Sequence, residues 1–131
     1  MIGLDTNVLV RYITQDDEPQ ATQASALIEA LTADEPGFVS LVCVIELYWV
    51  LSSCYRLKRA QCAQALELLL LTKELRVECA EQVTKALRTH NSGTSDFADC
   101  LIAAACSAAD CTRIMTFDVK AAKIAGMTLI S

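Results

Sequence analysis

Residues 37–55, GFVSLVCVIELYWVLSSCY, form an apolar run whose only charge, Glu46, sits in its middle. The run approaches the length of a membrane span, but Ser40 and the central carboxylate argue against one. An aromatic and β-branched start followed by a helical pattern predicts a strand over 37–41 that feeds a buried helix. An ionised group on an apolar helix is costly to desolvate unless a cation, hydrogen bonds or a metal offset it. Glu46 is therefore expected to mark a site.

The same strand-then-helix grammar recurs along the chain. Residues 2–5 read as a short buried strand, 6–14 as a helix and 19–32 as a second helix with Pro19 in its first turn. After the helix carrying Glu46, the polar corner RLKR precedes a helix over 60–71, and LRVE (75–78) reads as a strand. Helices are expected over 79–90, 96–109 and 119–125, and strands over 112–117 and 127–131. This alternation predicts an α/β protein, a three-layer α/β/α sandwich with a central, mostly parallel sheet of 4–5 strands. The 131 residues, 53% of them hydrophobic with only 2 Pro and 4 Gly, fit one domain spanning 1–131.

The seven cysteines are odd in number, include no CxxC pair and fall mostly in apolar patterns, so they are expected to be small core thiols in a reducing cytoplasm. MIGLDTN has no basic leader and reads as a native first strand rather than a signal peptide. The net charge of −5 disfavours holding nucleic acid by a diffuse basic surface.

Ligands of a parallel sheet gather outside the carboxyl ends of its strands. Asp5 and Asp118 each end an apolar strand pattern, while Glu46 and Asp99 lie in the opening turns of helices. Asp96, three residues before Asp99, shares its helix face. Three of the acids also have a structural alternative: Asp5 and Asp118 could cap the helices that follow them, and Asp96 the helix that holds Asp99 at its third position, whereas Glu46 has none. Taken together, a site is the better reading. Carboxylates gathered there would repel one another unless a cation lay among them. Oxygen-only donors with no His or Cys nearby suit Mg²⁺, or Mn²⁺, ions that also take substrate phosphate. Two such ions would offset most of the negative net charge, so a polyanionic substrate stays open to this chain.

Other chemistries lack a motif. There is no GxSxG, Walker A sequence or Gly-rich phosphate loop, and Asn7 stands where a haloacid-dehalogenase-type phosphatase would need its second Asp. His90, the only histidine, is expected to be a solvated residue at a helix C-terminus.

IGLDTNVLVRY, SLVCVIELYWVL, DFADCLIAAAC and MTFD, in that order over nearly the whole chain, resemble the PIN domain family, and more closely the VapC-type toxins of bacterial toxin–antitoxin pairs. The resemblance implies a Mg²⁺- or Mn²⁺-dependent endoribonuclease leaving 5′-phosphate and 3′-hydroxyl ends. Its acidic set falls on Asp5, Glu46, Asp99 and Asp118, with Asp96 an additional acid of less constant role. Thr6, Asn7 and Thr116 would orient these acids or serve only as cap and turn groups, and Arg11 could meet an RNA phosphate or stand as a solvated surface residue. The resemblance also implies a cognate antitoxin seated on an apolar groove, for which Tyr48, Trp49, Leu51 and the 66–71 leucine run are candidates, and a homodimer. Two rivals are an acidic metal-holding regulatory module without hydrolysis and a structure-specific DNA nuclease.

Overall fold

The computed structural model describes residues 1–131, which divide into two compact units, Met1–Glu78 and Cys79–Ser131. The first opens with β1 (Ile2–Gly3), α1 (Thr6–Thr14) and α2 (Glu18–Glu29). It continues with β2 (Gly37–Val39), α3 (Leu41–Trp49), a π-helical turn (Val50–Cys54), α4 (Arg59–Leu71) and β3 (Leu75–Val77). The strands pair in the order β1-β2-β3, all parallel, with Ile2 opposite Gly37 and Gly37 opposite Leu75.

Local chemistry sets these boundaries. Asp17 accepts a hydrogen bond from the Gln20 amide, so α2 starts at Glu18, one residue ahead of Pro19. Ser40 ends β2 by turning its hydroxyl onto the Cys43 amide, which caps α3. Gly37 sits where Leu4, Leu31 and Leu75 close on the ladder: a Cβ there would lie 2.8 Å from methyls of Leu31 and Leu75. The core of this unit is aliphatic, with Leu9, Val39, Leu47 and Leu51 fully enclosed and Val44, Leu66 and Leu69 nearly so.

The second unit comprises α5 (Ala80–Ser92), α6 (Phe97–Ala108), β4 (Met115–Thr116), α7 (Val119–Ile124) and β5 (Thr128–Leu129). Helices α5 and α6 pack on each other through Val83, Ala86, Leu87, Phe97, Leu101 and Ala104. Strands β4 and β5 pair in parallel across α7, a small β-α-β unit. The five strands thus form ladders of three and two, every pair parallel. No helix is long and apolar enough to cross a membrane.

Several expectations are corrected. Helix α3 buries only Val44 and Leu47 and exposes Val42, Ile45, Glu46 and Trp49, so Glu46 is not a desolvated charge. The run looks uniformly apolar in sequence because its outward face is apolar too. Leu51, by contrast, is fully buried in the π-helical turn and cannot line a surface groove. His90 is 2% exposed rather than solvated, its ring set edge-on against Phe97 at 6.1 Å between centroids. It continues the Val83, Ala86, Leu87 stripe one turn further along the buried face of α5. All seven cysteines are free, but only Cys62 and Cys100 are buried, while Cys54 and Cys79 are exposed at the ends of helical segments and Cys111 in the loop after α6. Strands β4 and β5 hold two residues each where longer runs were expected, since each has only the other to pair with.

The two faces of α3 differ energetically. Leu47→Ala should lower the stability of the chain by about 2–5 kcal/mol through the cavity it leaves, whereas Val42→Ala, at an exposed position, should change it by less than about 0.5 kcal/mol. Urea unfolding of the two variants measures both.

Candidate active site

In the first unit Asp5 follows β1 and serves as the N-cap of α1, its Oδ1 accepting the Thr6 amide at 2.7 Å. The capping alternative therefore holds for one of its oxygens, and the other stays free for a ligand. Asp5 and Glu46 line one cavity of about 470 Å³, whose wall also includes Thr6, Asn7, Arg11 and Tyr55. Both carboxylates are exposed. Thr6 is 5% exposed, and its Oγ1 is buried with no hydrogen-bond partner. A buried hydroxyl left unpaired costs about 1–3 kcal/mol, so a hydroxyl of this kind beside two carboxylates is suited to a bound water or ligand oxygen. Asn7, exposed on the first turn of α1, lines the same wall.

A third acid at this sheet edge was not singled out in the sequence. Glu78 directly follows β3, its amide bonds the Val39 carbonyl, and its Oε1 accepts the Leu41 amide at 2.7 Å. The signal was present in the pattern LRVE, an acid ending a strand just as Asp5 does. Its carboxylate is committed to the N-terminus of α3, where the helix dipole favours it.

In the second unit Asp96 occupies the N-cap position of α6 but makes no capping hydrogen bond, so the structural alternative for this residue does not apply. Asp99 is the third residue of α6. Burial raises the pKa of its carboxyl above the ordinary range, the nearby charges of Asp96 and Asp118 push in the same direction, and Lys120 opposes them. Asp118 caps α7, its Oδ1 accepting the Lys120 and Ala121 amides at 2.9 and 3.3 Å. The Thr116 hydroxyl accepts the Asp118 amide at 3.0 Å and fixes the turn that carries this carboxylate. Asp96, Asp99 and Lys120 line a crevice of about 10 Å³, close to the smallest space that holds a water.

The five acids thus fall into two groups: Asp5 with Glu46, and Asp96 with Asp99 and Asp118. No three His, Cys, Asp or Glu side chains are grouped so as to hold a metal ion by themselves. Mg²⁺ does not demand three, because it keeps several waters and is held through one or two carboxylates together with substrate phosphate. Asp5 and Glu46, lining one cavity, offer the oxygen-only donors that such an ion takes.

The PIN domain family model matches residues 2–127, a span that takes in both units and all five acids. The chain belongs to the PIN domain family. PIN domains have a three-layer α/β/α fold and are generally metal-dependent nucleases acting on nucleic acid, typically with Mg²⁺ or Mn²⁺. No individual curated protein matches the chain significantly.

For this PIN domain the second acidic group makes a prediction about metal-free stability. A carboxyl whose pKa is raised on folding contributes stability below its unfolded value, and that contribution is lost as pH rises through the folded value. At neutral pH the ionised Asp99 therefore opposes folding. In EDTA, Asp99→Asn should melt at a higher temperature than the parent at pH 7, and the gap should close as the pH falls to about 4 or below. A variant that melts lower at pH 7 would contradict the assigned repulsion.

Proposed function

We propose that this PIN domain is an endoribonuclease toxin of the VapC type, hydrolysing RNA phosphodiester bonds at a site formed by Asp5, Glu46, Asp99 and Asp118. The observation that carries the reading is the family match across 2–127, which contains LDTN, VIEL, FADC and TFD in order. In this reading residues 1–131 act as a single nuclease domain. Asp5, Glu46, Asp99 and Asp118 would hold Mg²⁺ or Mn²⁺, directly or through water, with Asp96 a further acid of the set. Such an ion, when bound, lowers the pKa of a water that can attack phosphorus and stabilises the leaving 3′ oxygen.

The chain's own residues have distinct tasks around that chemistry. The Thr6 hydroxyl is buried and unpaired directly behind Asp5 in sequence, in the wall of the same cavity. Asn7 offers an amide on the same wall. Thr116 keeps the Asp118 turn in place through its hydrogen bond. The charges of Asp96 and Asp118 near Asp99 repel its carboxylate, and a divalent cation among them would relieve that repulsion.

The toxin reading also entails partners. The exposed side chains of Val42, Ile45 and Trp49 on α3, and of Leu68 and Leu71 on α4, are apolar surface suited to a cognate antitoxin or to a second copy in a homodimer. Such a toxin would work in the cytoplasm, where its RNA targets are.

The deciding experiment incubates purified protein, stripped of any co-purifying partner, with total bacterial RNA in Mn²⁺ or EDTA. Discrete fragments are expected only with metal, and both Asp5→Ala and Asp99→Asn should lower cleavage by at least about 100-fold. Wild-type activity in either variant would sink the site assignment. A folded, metal-loaded protein that cleaves no RNA would favour the regulatory module, and cleavage of branched DNA alone would favour the DNA nuclease.

A further inference from the structure

Arg11 is the only basic residue lining either of two cavities in the first unit. One is the cavity of Asp5 and Glu46; the other, about 260 Å³ between α1 and α2, is lined by Gln20, Gln23 and Leu27. Arg11 and Asn7 belong to the walls of both. The guanidinium is held in place with unusual thoroughness for a side chain that remains 30% exposed. Its Nε donates to Gln20 Oε1 at 2.7 Å, and its Nη1 donates to both oxygens of Asp16 at 3.0 and 3.1 Å and to the Tyr55 hydroxyl at 3.1 Å. Asp16 is itself fixed, accepting from the Tyr55 hydroxyl at 2.7 Å and from the Thr14 hydroxyl at 2.8 Å. Tyr55 is delivered by the π-helical turn, whose wider i to i−5 bond runs from the Tyr55 amide to the Val50 carbonyl at 3.2 Å.

Nη2 takes no part in any of these bonds. An exposed ion pair contributes little to stability, so four hydrogen bonds from one exposed guanidinium to three side chains are poorly explained by a structural role. What they achieve is orientation, with one edge of the fork left open. The chain carries a net charge of −5, and the adjoining cavity holds two carboxylates that repel a phosphate backbone. A cation fixed beside them offsets that repulsion without a binding-time loss of side-chain freedom.

We propose that Arg11 binds the substrate strand, its free Nη2 edge taking a phosphate neighbouring the one to be cut while the adjacent nucleotide lies in the α1–α2 cavity. There the amides of Gln20 and Gln23 face base edges and Leu27 offers an apolar contact. Tyr55 and Asp16 are positioning residues that act through Arg11. The inference rests on the nuclease reading of the acidic site and names the strand contact next to it.

The test is the salt dependence of binding, because a purely structural residue does not change it. A short fluorescent single-stranded RNA of mixed sequence is titrated in Mg²⁺ with the full chain carrying Asp99→Asn, and with the same chain carrying Arg11→Gln or Arg11→Lys in addition. Salt is varied between about 50 and 200 mM. Arg11→Gln should bind about tenfold more weakly and reduce the slope of log K against log salt by about 0.7, one phosphate contact on a single strand. Arg11→Lys, keeping the charge, should retain the slope. Tyr55→Phe should weaken binding less than Arg11→Gln and leave the slope unchanged. An unaltered slope and affinity for Arg11→Gln, with RNA cleavage intact in the otherwise wild-type chain, would overturn this inference and leave the nuclease reading standing. The same slope change on single-stranded DNA, with no cleavage of RNA, would support the strand contact and remove the ribonuclease reading.

Discussion

Parallel pairing of β2 between β1 and β3 is the constraint from which the candidate chemistry of the first unit follows. It places the carboxyl ends of three strands on one edge, so that Asp5, the Ser40 cap of α3 and Glu78 all emerge there. A helix starting at that edge turns its first amides and the positive end of its dipole toward the same space. Carboxylates are consequently stable at the edge in two different roles. Glu78 and one oxygen of Asp5 satisfy helix amides, while the remaining oxygen of Asp5 and the carboxylate of Glu46 face the cavity uncommitted.

Acidic crowding in the second unit supplies the complementary physics. Burial, and then the charges of Asp96 and Asp118, push Asp99 toward protonation, against the opposing charge of Lys120. Natural proteins tolerate such repulsion where a cation relieves it in the working state.

Much of this was legible in the sequence, for identifiable reasons. Helix α1 matches the expected 6–14 residue for residue because Asp5 is a strong cap and the apolar period is clean. The acids at strand ends were found because a short apolar run stopped by Asp is an unambiguous pattern. What escaped was the direction in which side chains point. The α3 segment is apolar on both faces, so periodicity gave no sign that Glu46 lies on the outer one. Leu51 was hidden by the π-helical turn, which shifts the register of every residue after Trp49. His90 reads as solvated because it stands beside Asn91 and Ser92 at a helix end, yet it continues the buried Val83–Leu87 stripe of α5. The Arg11, Asp16 and Tyr55 network joins residues 39 and 44 positions apart, a contact that no local pattern reports.

The proposed nuclease function requires both Asp5 and Asp99 for metal-dependent cleavage of RNA. Cleavage rates with Mn²⁺ for Asp5→Asn, Asp99→Asn and the two combined, arranged as a double-mutant cycle, test it most directly. Each single change should lower the rate by at least about 100-fold, and the combination should lose far less than the sum of the two. Losses that simply add, or a single change with no effect, would contradict the proposal.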